Sequence, residues 1–197
     1  MDIRNIFFKF RSYTPIPIAL TIIYNCQPVL PFNILGLLLI ATGEIIRINA
    51  IRFAGGATRT RNVGAPSLCT SGPYSRTRNP LYWGNIIIYA GAAFLGGGKW
   101  MWHLVATTTM FFMVQYYFII SLEEETLRLK FGKEYKSYIK NVPKFLPKLM
   151  PWDNKNKIEP QNLYETLKTE KRTLQNIILT SILILFKTQI ISLFNFL

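Results

Sequence analysis

Histidine and cysteine are nearly absent from this chain: it has one histidine, His103, and two cysteines, Cys26 and Cys69. So small a set of soft ligands gives no support to a zinc site. Two scattered cysteines make no disulfide framework either, and unpaired thiols without a chemical role are expected. Charge is scarce as well. Only 17% of the residues are charged, and 10 acidic residues face 23 lysines and arginines, a formal net charge of +13. Such an excess could indicate nucleic acid. Half of the residues are hydrophobic, however, and they come in long blocks. The cations are therefore expected to flank membrane segments and face anionic lipid, with no nucleic acid bound. The first apolar block ends in bulky Tyr24 and Asn25 before Cys26, which fits neither a small-residue cleavage site nor a lipid-attachment box. That block is expected to be retained.

The apolar blocks organise what is present. Residues 1–14 interleave Arg4, Lys9 and Arg11 with Phe7, Phe8 and Phe10, an interfacial lead-in. Four apolar spans follow, over about 15–30, 32–53, 81–98 and 100–122. The first is broken by Pro15, Pro17 and Asn25 and is barely long enough to cross. The second carries Glu44 and Arg47 on one helical face, either as a local ion pair near the interface or as the lining of a polar cavity. In the third, Gly84, Gly91, Ala92 and Ala93 would let another helix approach closely. Trp100 and Trp102 anchor the fourth, with His103 at headgroup level. A helical segment over 123–150 comes next, interrupted at Phe131-Gly132 and ended by Pro143 and Pro147. It leads into a polar, lysine-rich linker over 152–175 and an apolar helix over 176–197, expected as a fifth span. The reading is one membrane domain over 1–151, in an all-α integral membrane protein with a bundle of four to five transmembrane helices. The N-terminus, the 54–79 loop (Arg59, Arg61, Arg76 and Arg78, with no acidic residue) and the 123–175 region hold most of the cations. The positive-inside rule puts all three, and with them the active face, in the cytoplasm.

Two stretches carry candidate chemistry. From Ser71 the chain reads through turn formers to Arg76 and Arg78, then Asn79-Pro80, straight into an uncharged apolar run. Asn79 can cap the helix, and Pro80 suits its first position because the missing N–H needs no partner there. A cationic loop thus meets the positive end of a helix dipole, where an anion or an acidic cofactor group would bind. The other stretch is Glu123-Glu124-Glu125, at the exit of the fourth span. Three carboxylates at the carbonyl end of a helix oppose its dipole and require a cation nearby. Arg128, four residues beyond Glu124, is the local candidate.

Gly72-Pro73-Tyr74, then Arg78-Asn79-Pro80-Leu81-Tyr82-Trp83-Gly84, and two spans later Glu123-Glu124, Leu127, Phe131-Gly132, Tyr135, Tyr138 and Pro147 make one pattern. In content, order and spacing it resembles the isoprenylcysteine carboxyl methyltransferase family, whose wider relatives include the phospholipid N-methyltransferases. The likeness covers roughly residues 33–150. It implies a membrane-embedded methyltransferase using S-adenosylmethionine, bound from the cytosol in a site formed by the third and fourth spans and the helical segment after them. The acceptor implied is lipidic or prenylated and comes sideways from the bilayer. On this resemblance Arg78 and the helix start at Asn79-Pro80 take the cofactor's carboxylate, and Glu123 and Glu124 its ammonium or ribose hydroxyls. Tyr74, Tyr82 and Trp83 supply aromatic walls, and Gly84 and Tyr135 complete the cofactor set. Arg78, Glu124 and Arg128 are the catalytic candidates. The family's usual histidine is Asn79 here, which donates a hydrogen bond but cannot become cationic or shuttle a proton. That leaves open whether the acceptor is a prenylcysteine carboxylate or a phospholipid amine. A membrane sterol reductase using a nicotinamide cofactor and a non-catalytic membrane scaffold are the competing readings.

Overall fold

The computed structural model describes residues 2–55, 63–154 and 158–195, with side chains to residue 192. Arg59 and Arg61 lie outside the described residues. Among those described, the chain forms six α-helices: α1 (Ile3–Phe10), α2 (Pro15–Asn25), α3 (Phe32–Ala54), α4 (Pro80–Gly96), α5 (Met101–Asn141) and α6 (Leu163–Asn195). Three of them are long and apolar enough to cross a membrane: α3, α5, and α6 over Leu163–Ser192. Large apolar side chains such as Leu20, Leu38, Ile45 and Met110 are 60% exposed or more. So many on one small protein suit a lipid-facing surface.

α1 starts where Asp2 accepts the Arg4 backbone N–H at 2.9 Å, an N-cap. Its Phe8 is buried while Ile3 and Phe10 are exposed, as an interfacial helix requires. It docks on α5 by stacking Phe7 on Phe118 at 5.0 Å and by the Arg4–Glu125 ion pair. The apolar run expected to span over 15–30 is helical only to Asn25. Eleven residues rise roughly 17 Å at 1.5 Å each, about half of a hydrocarbon core. Beyond Asn25 the chain is extended, and the Gln27 N–H pairs with the Gly96 carbonyl at 2.8 Å.

α3 and α4 pack backbone to backbone. A Cβ on Gly43 would lie 2.6 Å from the Gly84 carbonyl oxygen, and one on Gly91 would lie 2.9 Å from that of Gly36. Only glycine permits this approach, so the small residues of α4 serve the contact expected of them. α4 itself ends at Gly96, before two left-handed glycines, Gly97 and Gly98.

α5 runs unbroken from the apolar span into the charged segment and bends at Gly132, whose φ of 46° and ψ of −110° are not helical. The interruption thus falls at the expected Phe-Gly pair. A side chain at this φ is strained whatever the space, and space is open here. Gly132→Ala is expected to cost about 1–3 kcal/mol of backbone strain. A thermal melt in detergent checks this; an unchanged midpoint would show that the bend does not need glycine.

The linker expected over 152–175 requires correction in its second half, because residues 163–175 are the first turns of α6, continuous with the apolar part. Thr166 and Glu170 there are fully buried, so tertiary packing overrides the polar composition. The Gln161 N–H donates to the Arg52 carbonyl at 2.7 Å, which brings the start of α6 beside the end of α3. The Arg4–Glu125, Arg78–Glu124 and Arg52–Gln161 contacts gather the basic N-terminus, the start of α4, the charged part of α5 and the start of α6 at one end of the bundle.

Candidate functional site

The loop before α4 is fastened to the chain beyond α5. A 3-10 turn over Gly72–Ser75 is forced by Gly72, whose Cβ would strike the Phe53 ring. From there residues 75–83 run against residues 143–152. Ser75 and Arg76 carbonyls accept the Trp152 and Lys148 N–H groups at 2.9 and 3.0 Å, and the Arg78 N–H donates to Pro143 at 3.0 Å. Asn79 Nδ2 donates to the Lys144 carbonyl at 3.0 Å and Trp83 Nε1 to that of Phe145 at 2.6 Å. The Tyr138 hydroxyl closes the far side on the Tyr74 carbonyl at 2.7 Å.

Arg78 is the rivet of this assembly. Its Nε and Nη2 each lie 2.9 Å from Glu124 Oε1, while Nη1 donates to the Val142 carbonyl at 2.6 Å. The two side chains are 9% and 13% exposed, so this charge pair is largely desolvated. Lys144 Nζ stands 3.4 Å from the other Glu124 oxygen. Because α5 continues past Glu125 to Asn141, the three carboxylates lie within the helix and not at its carbonyl end as expected. Glu124 is neutralised from the loop before α4 and from the segment after α5. Glu125 pairs with Arg4. Arg128 stands exposed on α5 and lines no part of the site, so its expected pairing with Glu124 is replaced by these partners.

Behind the fastened loop lies a cavity of about 1000 Å³. Seven of the ten expected cofactor residues line it: Tyr74, Arg78, Asn79, Tyr82, Glu123, Glu124 and Tyr135. Pro80, Trp83 and Gly84 do not, since Pro80 is buried in the first turn of α4, Trp83 turns to the Phe145 carbonyl and Gly84 faces α3. Asn79 occupies the N-cap position without capping, because its side chain reaches Lys144 instead. Burial pushes the Tyr74 phenol well above its usual range, so it is a neutral hydrogen-bonding group. Burial also pushes the Cys69 thiol, on the same wall, up to about 11, which leaves it protonated at neutral pH. His103 packs edge-on against Trp100 near the start of α5, at the opposite end of the apolar span from Glu123.

Asn79→His keeps an N–H donor for the Lys144 carbonyl but adds ring volume at a buried position, so it is expected to cost stability by packing and not by an orphaned carbonyl, and less than Asn79→Ala. Asn79→Ala strips the partner from that carbonyl and should cost about 1–3 kcal/mol. Chemical denaturation of both variants checks the pair; equal losses would contradict the assigned contact.

Two lining residues, Arg11 and Glu170, had no signal in the sequence, and Arg47 had stood between two readings. Arg11 comes from the loop after α1, and its guanidinium sits 3.8 Å over the Phe8 ring. Arg47 of α3 lies 3.7 Å from Glu44 but donates at 2.5 Å to Glu170 of α6. Glu44 and Arg47 thus face the bundle interior, and among the described residues neither Glu44 oxygen has a hydrogen-bond donor. Glu170 stood inside the expected linker, with no motif around it.

A helical bundle with a lipid-facing exterior and a deep cavity, polar at the end where its charged segments meet, is a membrane protein built to hold a ligand between its helices. The phospholipid methyltransferase family profile matches residues 32–134, more than half of the chain, and the protein belongs to that family of membrane methyltransferases. No curated protein and no solved structure matches it. Family membership makes the chain an enzyme working with a methyl donor, against the reductase and scaffold readings.

Proposed function

We propose that the protein transfers a methyl group from S-adenosylmethionine to a lipid acceptor that reaches the cavity from the bilayer. The observation that carries this reading is the convergence of both motif blocks on one end of a cavity that continues between membrane-length helices. The donor set suits the cofactor. Glu123 offers a carboxylate to an ammonium or to hydroxyls, and Tyr74, Tyr82 and Tyr135 offer phenols and ring faces to a cation or to adenine. Arg78 and Glu124, already joined, hold the loop and α5 in register at the cavity wall. Arg128 acts at most on the local potential.

When bound, S-adenosylmethionine supplies an electrophilic methyl. The chain's own contribution is alignment and exclusion of water, since displacement needs its partners in line. The acceptor reading that suits the lining is an amine of a phospholipid. An amine must lose a proton before it attacks, and Glu123 is the carboxylate at hand for it. A prenylcysteine carboxylate, already ionised, would use no such group.

The proposed topology has α3, α4, α6 and the first half of α5 crossing, with α2 and the extended residues after it together completing one more crossing from the site end to the Gly96 end of α4. With the basic segments gathered at that end, the active face is cytoplasmic by the positive-inside rule. The test is incubation of the purified protein in native lipid with isotopically labelled S-adenosylmethionine, followed by mass analysis of the lipids. Label in a phospholipid headgroup is the expected result. Donor binding without label in any lipid would refute the acceptor class, and no donor binding would refute the site.

A further inference from the structure

The donor site takes only one end of the cavity. Beyond Tyr82 it continues between α2, α4 and α6, and its rim between α2 and α6 carries Ile16, Leu20 and Leu179, each more than half exposed. The two helices are joined farther along, where the Cys26 thiol lies 3.5 Å from the Ile184 carbonyl and Lys187 Nζ donates to that of Tyr24. The rim is therefore a side opening in the apolar zone, closed at one end. α2 and α6 both stand outside the matched span 32–134. These walls belong to this chain rather than to the family's common core.

α6 does not present a uniform apolar wall. Glu170, Thr173, Asn176 and Thr180 all line the cavity, at steps of three, three and four residues, which is one face of a helix. Polar groups on a membrane helix are costly toward lipid and turn to a cavity or partner. The first of them is anchored by Arg47, whose side chain is 11% exposed against 2% for Glu170, so the stripe is held against α3. Across from it, Ile18, Ala19 and Ala92 are apolar. A ligand lying here meets hydrogen-bonding groups along one side and hydrocarbon along the other. A diacyl lipid has that character around its ester linkages, whereas a bare hydrocarbon chain gains nothing from a polar stripe.

We propose that this limb binds one acyl chain of a glycerolipid acceptor with its ester linkage along the α6 stripe, and that α6 is the wall selecting the acceptor. The proposal rests on the methyltransferase reading of the polar limb. Thr180 and Asn176 donate to the ester oxygens, α2 and Ala92 pack the chain, and the Arg47–Glu170 pair fixes the wall. Lipid tails are as apolar as the α2 side chains, so shape and the stripe, rather than burial of hydrocarbon, supply the preference.

The test uses the full chain in phosphatidylcholine nanodiscs doped with phosphatidylethanolamine bearing a mid-chain diazirine, or with a diazirine-labelled alkane of equal length. Irradiation and peptide mass mapping should find the phospholipid adducts on inward residues such as Ala19, Ala92 and Ile177. Thr180→Trp, which fills the limb, should cut these adducts at least tenfold while labelled S-adenosylmethionine binds within twofold of wild type. Ala92→Phe, filling from the opposite wall, should do the same and covers the case of a misfolded Thr180→Trp. Thr180→Val, which removes only the hydroxyl, should lower the phospholipid adducts severalfold and leave the alkane adducts unchanged. Adducts confined to outward Ile178 and Ile182 and indifferent to both filling variants would overturn the proposal, as would equal effects of Thr180→Val on the two probes. Loss of donor binding by wild type with inward adducts intact would refute the methyltransferase site and leave the lipid limb standing.

Discussion

Arg78→Ala is expected to destabilise the protein by about 3–5 kcal/mol and to abolish donor binding, because it breaks a buried ion pair on one side only. The side chain left behind, Glu124, is 13% exposed and would keep only Lys144, 3.4 Å away. The Val142 carbonyl would lose its 2.6 Å donor too, so the end of α5 would come away from the start of α4. Glu124→Ala should cost a similar amount by orphaning the guanidinium. Replacing both partners by apolar groups separates architecture from binding. An Arg78→Met/Glu124→Leu double variant removes both charges, so its stability should recover much of the single-variant loss, while donor affinity should not. Melting and donor titration of the two singles and the double read the outcome. Singles within about 0.5 kcal/mol of wild type would show that the pair does not hold the fold.

The start of α4 was legible because its signals are local: turn formers, an arginine pair, then Asn79-Pro80 before an uncharged run. The bend at Gly132 was legible for the same reason. Pairing across elements was not. For Glu124 the sequence offered Arg128, the nearest cation by helical spacing, whereas the partner is 46 residues away in the loop before α4. Burial decides between them, since a solvated i,i+4 pair is worth about 0.2–0.5 kcal/mol and a desolvated, hydrogen-bonded one holds segments together. Arg11 and Glu170 were hidden differently. Glu170 sits in a polar stretch whose composition matches that of a solvated segment and Arg11 at the end of an interfacial lead-in, and only the packing of α1 and α6 on the bundle turns each inward. Glu44 and Arg47 fall between these cases: their shared face was readable, but the third member, on α6, was not. The Gly-rich face of α4 was readable as a contact surface, yet Gly84 also belonged to a motif and could be assigned to the cofactor as easily as to a neighbouring helix.

Gly84→Leu is expected to disrupt both the fold and the site, through the helix contact and not through a lost ligand contact. A Cβ at Gly84 would stand 2.5 Å from Arg47 Cγ and 2.7 Å from the Gly43 carbonyl oxygen, closer than real Cβ atoms come. Backbone on one side cannot move aside as a flexible side-chain end can. Overpacking of this kind costs about 1–3 kcal/mol for small additions, so Gly84→Ala should already lower the melting midpoint and leucine should lower it further. The site suffers because Arg78, Asn79 and Tyr82 precede Gly84 within two turns of helix. Moving that end of α4 by an ångström should reduce methyl transfer on the order of 100-fold. Gly91→Ala is the control. It meets α3 at 2.9 Å, from Gly36 and Ile40, two turns farther from the site. It should destabilise comparably while its folded fraction binds the donor as wild type does. Were Gly84 a cofactor contact instead, Gly84→Ala would lower donor affinity at an unchanged melting midpoint, and that pattern would reverse the assignment.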